Sequence, residues 1–452
     1  MMKYAEYHAA PESGRTDCPQ RQDGPGSFAL KGDICFAKTP TELETVPNGY
    51  AVCVDGVSRG VFRQLPEEYR ALPVHDHSGR LVFPGLVDLH IHAPQFAFRG
   101  MGMDMELMEW LQKQTFPEEA KYEDLDYARA AYALFAEAMR DSATTHACIF
   151  ATRHSEAALL LMEYMEQTGL VSYVGKVNMD QDAPDSLRER DAEQSISDTV
   201  RWLDQAGKFR RTKPILTPRF VPCCTGELLE RLGALQESSG LRVQSHLSEN
   251  PGEVEVVRQL HPDAPCYGGV YDRYGLFGRD RGGREVPTIM AHCVYSAGEE
   301  LTLLKENGVF VAHCPASNMN LASGIAPVRK FLEAGLRVGL GSDVAGGHTE
   351  SILRAVCDAV QVSKLYWRLA DQDVRPLTFR EAFYLATKGG GAFFGAVGSF
   401  EAGYDFSAVV LDDSALRHPF PLSVEQRLER AAYSGLDQYG LRAKFAGGRR
   451  VR

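Results

Sequence analysis

Pro84-Gly85-Leu86-Val87-Asp88-Leu89-His90-Ile91-His92 carries a β-strand at Leu86 to His92, a short run of aliphatic and β-branched residues that ends in two histidines. Its two imidazoles stand two residues apart, so on a strand they leave from the same side. One strand can thus offer two ligands to one ion. His75-Asp76-His77 has the same spacing but sits in a polar turn, so the spacing alone carries little.

Working outward, further runs of β-branched and aliphatic residues fall at 145–150, 172–178, 215–220, 243–247, 288–292, 309–313 and 338–343, alternating with helical patterns closed by glycine. Between them, Leu125, Ala128, Tyr132, Phe135 and Met139 fall at helical steps, one apolar face for covering a sheet. Thr225 and Gly240 bracket another helix, and Ser296 with Glu299 predicts a capping box before a helix closed by Gly308. Eight strands with intervening helices imply an α/β fold, a TIM-like (β/α)₈ barrel over residues 84–395. Strand-like runs in 28–83, with turns at Asp55-Gly56 and Ser78-Gly79, and another at Gly403 to Leu411 predict a small β-sandwich domain built from 28–83 and 396–452. Residues 1–27, polar and rich in Pro and Gly, read as a flexible N-terminal tail without the apolar core of a signal peptide.

Bulk composition narrows the function classes. The chain has 452 residues, 44% hydrophobic and 24% charged, enough for a large core. Its formal charge of −11 disfavours a phosphate-tracking surface, so no nucleic acid is expected, and no stretch reads as a membrane helix. Ten cysteines without a C-x-x-C pair read as free thiols of a reducing cytoplasm.

Placement says more. His246, His292 and His313 fall at or near the ends of strands five, six and seven, and Asp343 ends strand eight. In such a barrel those ends converge with His90 and His92 on one mouth. Imidazoles with a carboxylate suit Zn²⁺ or Fe²⁺, and an open position lowers the pKa of a bound water to ~7. Glu249, three residues past His246, is near enough to shuttle protons. Taken singly, each residue reads as readily as a core histidine or a solvated carboxylate; the set together does not. The other zinc-deaminase architecture needs H-x-E and P-C-x-x-C, and His146-Ala147-Cys148 and Pro222-Cys223-Cys224-Thr225 fit neither half.

The strand-one stretch, His246, Ala291-His292-Cys293 and Gly341-Ser342-Asp343 resemble the amidohydrolase superfamily. Within it, His92-Ala93-Pro94-Gln95, Arg219-Phe220, His246-Leu247-Ser248-Glu249 and His313-Cys314-Pro315-Ala316-Ser317-Asn318 are similar to members that deaminate guanine. The resemblance implies one zinc per chain on His90, His92, His246 and Asp343, with His292 a further ligand or an orienter of hydroxide. It also implies Glu249, His292 and Asp343 as catalytic residues, and His92, Gln95, Arg219, Phe220, His246 and Asp343 around the purine. It suggests a homodimer.

The residue types agree in part. Guanine pairs a carbonyl with an N–H, which an arginine donor and a glutamine amide can read, and Phe220 can stack on its plane. Lys176 falls on strand three, not on strand four where binuclear relatives carry a bridging lysine, so a mononuclear site is expected. The alternatives left open are a hydrolase for a pterin, oxidised purine, triazine or adenosine derivative, and a non-catalytic assembly protein. Residues 250–286, with Tyr267, Tyr271 and Tyr274, read as a lid or a surface excursion.

Overall fold

The computed structural model describes residues 24–278 and 286–452. Most of the N-terminal tail, and residues 279–285 of the 250–286 segment, lie outside the described residues. The described strands are β1 (Phe28–Thr39), β2 (Glu42–Val54), β3 (Val57–Phe62), β4 (Val74–Pro84), β5 (Leu86–His92), β6 (Thr144–Phe150), β7 (Val171–Gly175), β8 (Val177–Asn178), β9 (Thr212–Pro214), β10 (Thr217–Pro218), β11 (Val243–Leu247), β12 (Thr288–His292), β13 (Phe310–His313), β14 (Arg337–Leu340), β15 (Ala408–Leu411), β16 (Leu441–Ala446) and β17 (Arg449–Arg450).

Parallel strands form the arcs β5-β6-β7-β9, β8-β10 and β11-β12-β13-β14. Backbone bonds link the arcs: Ile215 N–H donates to the Val174 carbonyl, and Leu216 bridges to Val243. Asp343 N–H donates to the His90 carbonyl at 2.8 Å, and His92 N–H to the Val344 carbonyl at 3.1 Å. Val87, Leu89, Cys148, Ile215, Ile289, Ala291, Phe310 and Ala312 share one buried cluster, so strands from both larger arcs pack around a filled interior.

The strands expected at 215–220 and 172–178 are each broken. Pro214 and Pro218 lack the N–H that a central strand must donate, leaving two short pieces, β9 and β10. The ladder is interrupted at Lys176, whose ammonium pairs with the buried Glu189 carboxylate and donates to the Val177 carbonyl. The helix Leu125–Asp141 forms as expected, capped by Asp124, and buries Ala128, Tyr132, Phe135 and Met139. Thr225 caps its helix through Leu228 N–H. The capping box at Ser296 does not form: Gly298 precedes the helix Glu299–Glu306, and the Ser296 hydroxyl bonds Glu300 instead.

Both chain ends join in one seven-stranded sheet, β17-β16-β15-β4-β1-β2-β3, where two facing sheets of a sandwich were expected. Bulges at Gly32/Ile34 in β1 and Val52/Cys53 in β2 bend it around a core of Phe28, Leu30, Phe400, Phe406 and Phe445. Gly26 N–H donates to the Gly448 carbonyl, which ties the end of the tail to this sheet. Lys444 on β16 is fully buried and donates to the carbonyls of Met139, Ser142 and Thr144, each at 2.9 Å. It thereby joins the sheet to the end of a helix and the start of β6. Lys444→Met takes the ammonium from the Ser142 and Thr144 carbonyls, while the Met139 carbonyl keeps the Ser142 hydroxyl. At ~1 kcal/mol or more for each lost bond it is expected to lower the urea midpoint clearly, and an unchanged midpoint would refute this bridging role.

Candidate active site

The first imidazole pair is set by local geometry at the end of β5. The β5–β6 register shifts between Asp88 and Ile91, an irregularity that re-aims the strand beside His90. Asp88 is fully buried and accepts from His90 N–H at 3.1 Å, from Ser342 N–H at 3.1 Å and from the Ser342 hydroxyl at 2.5 Å. This carboxyl clamps the end of β5 to the residue before Asp343. Gly341 permits the approach, because a Cβ there would stand 2.8 Å from Cys314 Sγ and 2.9 Å from His90 Cβ. Ser248, His292, Cys293 and Asp343 all have positive φ, a disfavoured state that the surrounding bonds hold at this one place.

The result is a tight donor cluster. His92 Nε2 lies 3.2 Å from both His90 Nε2 and His246 Nε2. Asp343 Oδ1 lies 3.1 Å from His90 Nε2 and 3.4 Å from His92 Nε2. Ligands at Zn–N distances of 2.0–2.1 Å around a tetrahedral ion stand ~3.4 Å apart, so these separations suit a shared ion. Mutual hydrogen bonds cannot satisfy the cluster, since each Nε2 proton serves one neighbour. His246 Nδ1 is 2.6 Å from the Arg219 carbonyl, which only accepts, so Nδ1 carries the proton and Nε2 presents its lone pair. Burial pushes His90, His92 and His246 below the ordinary imidazole pKa, toward the neutral form that ligates.

His292 differs. It shares donor groups with His90 and His246, and with Cys314 and Asp343. Burial opposes its charge, but the carboxylates of Glu249 and Asp343 outweigh burial and raise its pKa. Its Nε2 lies 3.5 Å from Glu249 Oε2 and 3.6 Å from Asp343 Oδ2, and Nδ1 contacts Asn318 Oδ1 at 2.9 Å. Cys314 is a poor ligand here, because burial holds its thiol well above the usual range and therefore protonated. Burial against Asp343 is reversed by the three neighbouring imidazoles, which keep that carboxyl ionised.

Glu249 reaches the same place from the turn after β11. Burial raises its pKa to about 7, and Ser323 donates to its Oε1 at 3.2 Å. Glu253 holds the turn by accepting from the backbone N–H groups of Glu249 and Asn250, and Tyr267 donates to its other oxygen at 2.6 Å. Tyr267 and Tyr271 are buried, and the Tyr271 hydroxyl donates to the His246 carbonyl, so these tyrosines pack against the β11 end instead of forming a surface excursion.

Above the cluster opens a cleft lined by His92, Gln95, Arg219, Phe220, His246, Glu249, His292 and Asp343, with apolar walls from Leu107, Trp110, Leu111 and Leu321. Every site residue read from the sequence except His90 lines this cleft, and His90 lies beneath it in the donor cluster. Lys176 is engaged by Glu189, away from the cluster. His313 ends β13 as expected but stands outside the donor groups, with neither ring nitrogen hydrogen-bonded.

Sequence reading missed Glu119, which pairs with Arg219 at 2.6 Å and accepts from Gln95 at 2.9 Å. It also missed Ser323 and the apolar wall. The π-turn Leu111–Thr115 beside that wall, a form often found at functional sites, has no clear sequence mark.

Imidazoles at the ends of β5, β11 and β12 and an aspartate that lies just past β14, not on it as expected, gather beneath a cleft as a donor set suited to metal-assisted hydrolysis. Residues 81–448 match the Amidohydrolase family. The guanine deaminase of Dictyostelium discoideum is 41% identical over 352 residues, covering 77% of this chain and 76% of that protein. The Homo sapiens guanine deaminase is 36% identical over 399 residues, covering 85% of each. A structure of guanine deaminase from C. acetobutylicum with guanine in its active site is 42% identical, with a TM-score of 0.90 over 94% of this chain and all of that one. The chain belongs to the amidohydrolase family and, within it, to the guanine deaminases.

Proposed function

We propose that the chain hydrolyses guanine to xanthine and ammonia, with His90, His92, His246 and Asp343 holding one Zn²⁺, or Fe²⁺ in its place. The observation that carries this reading is the Arg219–Gln95 pair set in the same cleft as the imidazole–aspartate cluster. The guanine-bound relative supports it. A bound ion of this kind makes hydroxide available near neutral pH.

The chain's own residues do the rest. Arg219 donates to the base carbonyl, Gln95 pairs beside it, and Phe220 lies against the purine plane, so the carbon bearing the amine faces the cluster. Asp343 takes the proton of the attacking water. Glu249 protonates the adjacent ring nitrogen, takes up the proton left on the attacking oxygen and passes it to the departing amine, which leaves as ammonia; the proton held by Asp343 then restores Glu249. His292, with Nε2 at 3.5 Å from Glu249 Oε2 and 3.6 Å from Asp343 Oδ2, either completes the ligand set or orients the hydroxide.

The backbone links between the arcs support a closed (β/α)₈ barrel at 84–395, with 28–83 and 396–452 as a discontinuous β domain. Among the described residues no helix is long and apolar enough to cross a membrane, and the nine described cysteines are free, which supports a reducing compartment such as the cytoplasm. The homodimer rests on the family resemblance.

Arg219→Ala is the test of substrate choice. It removes the side-chain donor yet keeps the backbone carbonyl that fixes His246. Guanine kcat/KM is expected to fall by ~10²-fold or more with bound metal unchanged. Unchanged turnover of guanine would contradict the assignment.

A further inference from the structure

Glu119 sits on the short helix Phe116–Ala120 and is 1% exposed, beside Gln95 at 2% and Arg219 at 3%. Its carboxylate grips Arg219 with two bonds, Nη1 to Oε2 at 2.6 Å and Nη2 to Oε1 at 3.2 Å. Oε1 also accepts from Gln95 Nε2 at 2.9 Å, while the other end of that amide, Oε1 of Gln95, accepts from Ala345 N–H at 3.1 Å. A carboxylate paired with arginine only accepts, and a backbone N–H only donates. The two partners therefore determine which way the Gln95 amide points, and one N–H and one lone pair of that amide remain for a ligand. The same carboxylate fixes the plane of the Arg219 guanidinium, leaving its other N–H groups to donate.

We propose that Glu119 is a specificity-determining positioning residue. It locks Gln95 in one amide orientation and Arg219 in one plane, so that the cleft selects a purine edge carrying a carbonyl beside an N–H over an edge carrying neither. This rests on the guanine reading of the same cleft. Glu119 touches no reacting atom; it acts through the two side chains that do the reading. Replacing it by glutamine keeps its shape but offers both a donor and an acceptor, so the Gln95 amide loses its directional constraint and Arg219 loses a charged partner.

The test uses the metal-loaded full chain and two ligands without a 2-amino group, so that neither releases ammonia. Hypoxanthine keeps the carbonyl and N–H edge of guanine; unsubstituted purine lacks it. The ratio of their dissociation constants, measured by calorimetry, reports edge selection apart from chemistry. Wild type is expected to prefer hypoxanthine, and Glu119→Gln to shrink that preference by ~10-fold or more with metal content unchanged. Glu119→Asp, which keeps the charge on a shorter stem, is expected to shrink it less and serves if the glutamine variant does not fold. A preference unchanged in a folded variant, or both ligands weakened equally, would overturn the proposal. Wild type that releases no ammonia from guanine would instead overturn the guanine reading, whatever the ratio.

Discussion

Glu249→Gln is expected to lower kcat for guanine by at least ~10²-fold while bound metal stays at the wild-type level. The glutamine occupies the same space after β11 and can still meet the Ser323 hydroxyl that now bonds Glu249 Oε1. What it cannot do is carry a proton. Burial already holds the Glu249 carboxyl at a pKa of about 7, so at neutral pH it can both give and take one, as a group that serves first the ring nitrogen and then the leaving amine must. The backbone bonds from Glu249 and Asn250 to Glu253 remain, which keeps the turn in place. Steady-state rates with metal analysis of the same sample decide the point. Near-normal turnover would give the proton transfer to another residue.

Asp343→Ala is expected to cost more, because it removes two functions at once. Its carboxylate lies 3.1 Å from His90 Nε2 and 3.4 Å from His92 Nε2, and its other oxygen lies 3.6 Å from His292 Nε2. The substitution takes a ligand from the cluster and the acceptor for the water's proton from the cleft. Metal affinity is expected to fall, and turnover to drop by ~10³-fold or more even with metal added in excess. The Asp88 clamp on Ser342 survives, so the change is local to the cluster. A variant that keeps full metal and loses little activity would remove Asp343 from both roles.

How much of this was legible depends on how local each determinant is. β5, β11 and β12 form within the bounds that their apolar runs suggest, and the histidines at their ends follow from strand alternation. The fourth strand failed where two prolines withdrew donors that a run of apolar residues seemed to promise. The capping box at Ser296 failed because the helix starts two residues later than expected, with Gly298 at its N-cap position. The sandwich became one sheet because bulges can bend a single sheet around a core, which period-two patterning does not disclose. Glu119 escaped notice for a different reason: its partner Arg219 lies 100 residues away, and no local pattern announces such a pair. Family resemblance marked Arg219 and Gln95 as readers of the base. Only the folded arrangement reveals the carboxylate that aims them.

The most direct measurement is product analysis on the purified, metal-loaded chain supplied in turn with guanine, adenine, cytosine, a pterin and an oxidised purine. The account predicts xanthine and ammonia in equal amounts from guanine, with loss of the activity on chelation and its return when Zn²⁺ is restored. No ammonia from guanine, or faster release from another member of the panel, would contradict it.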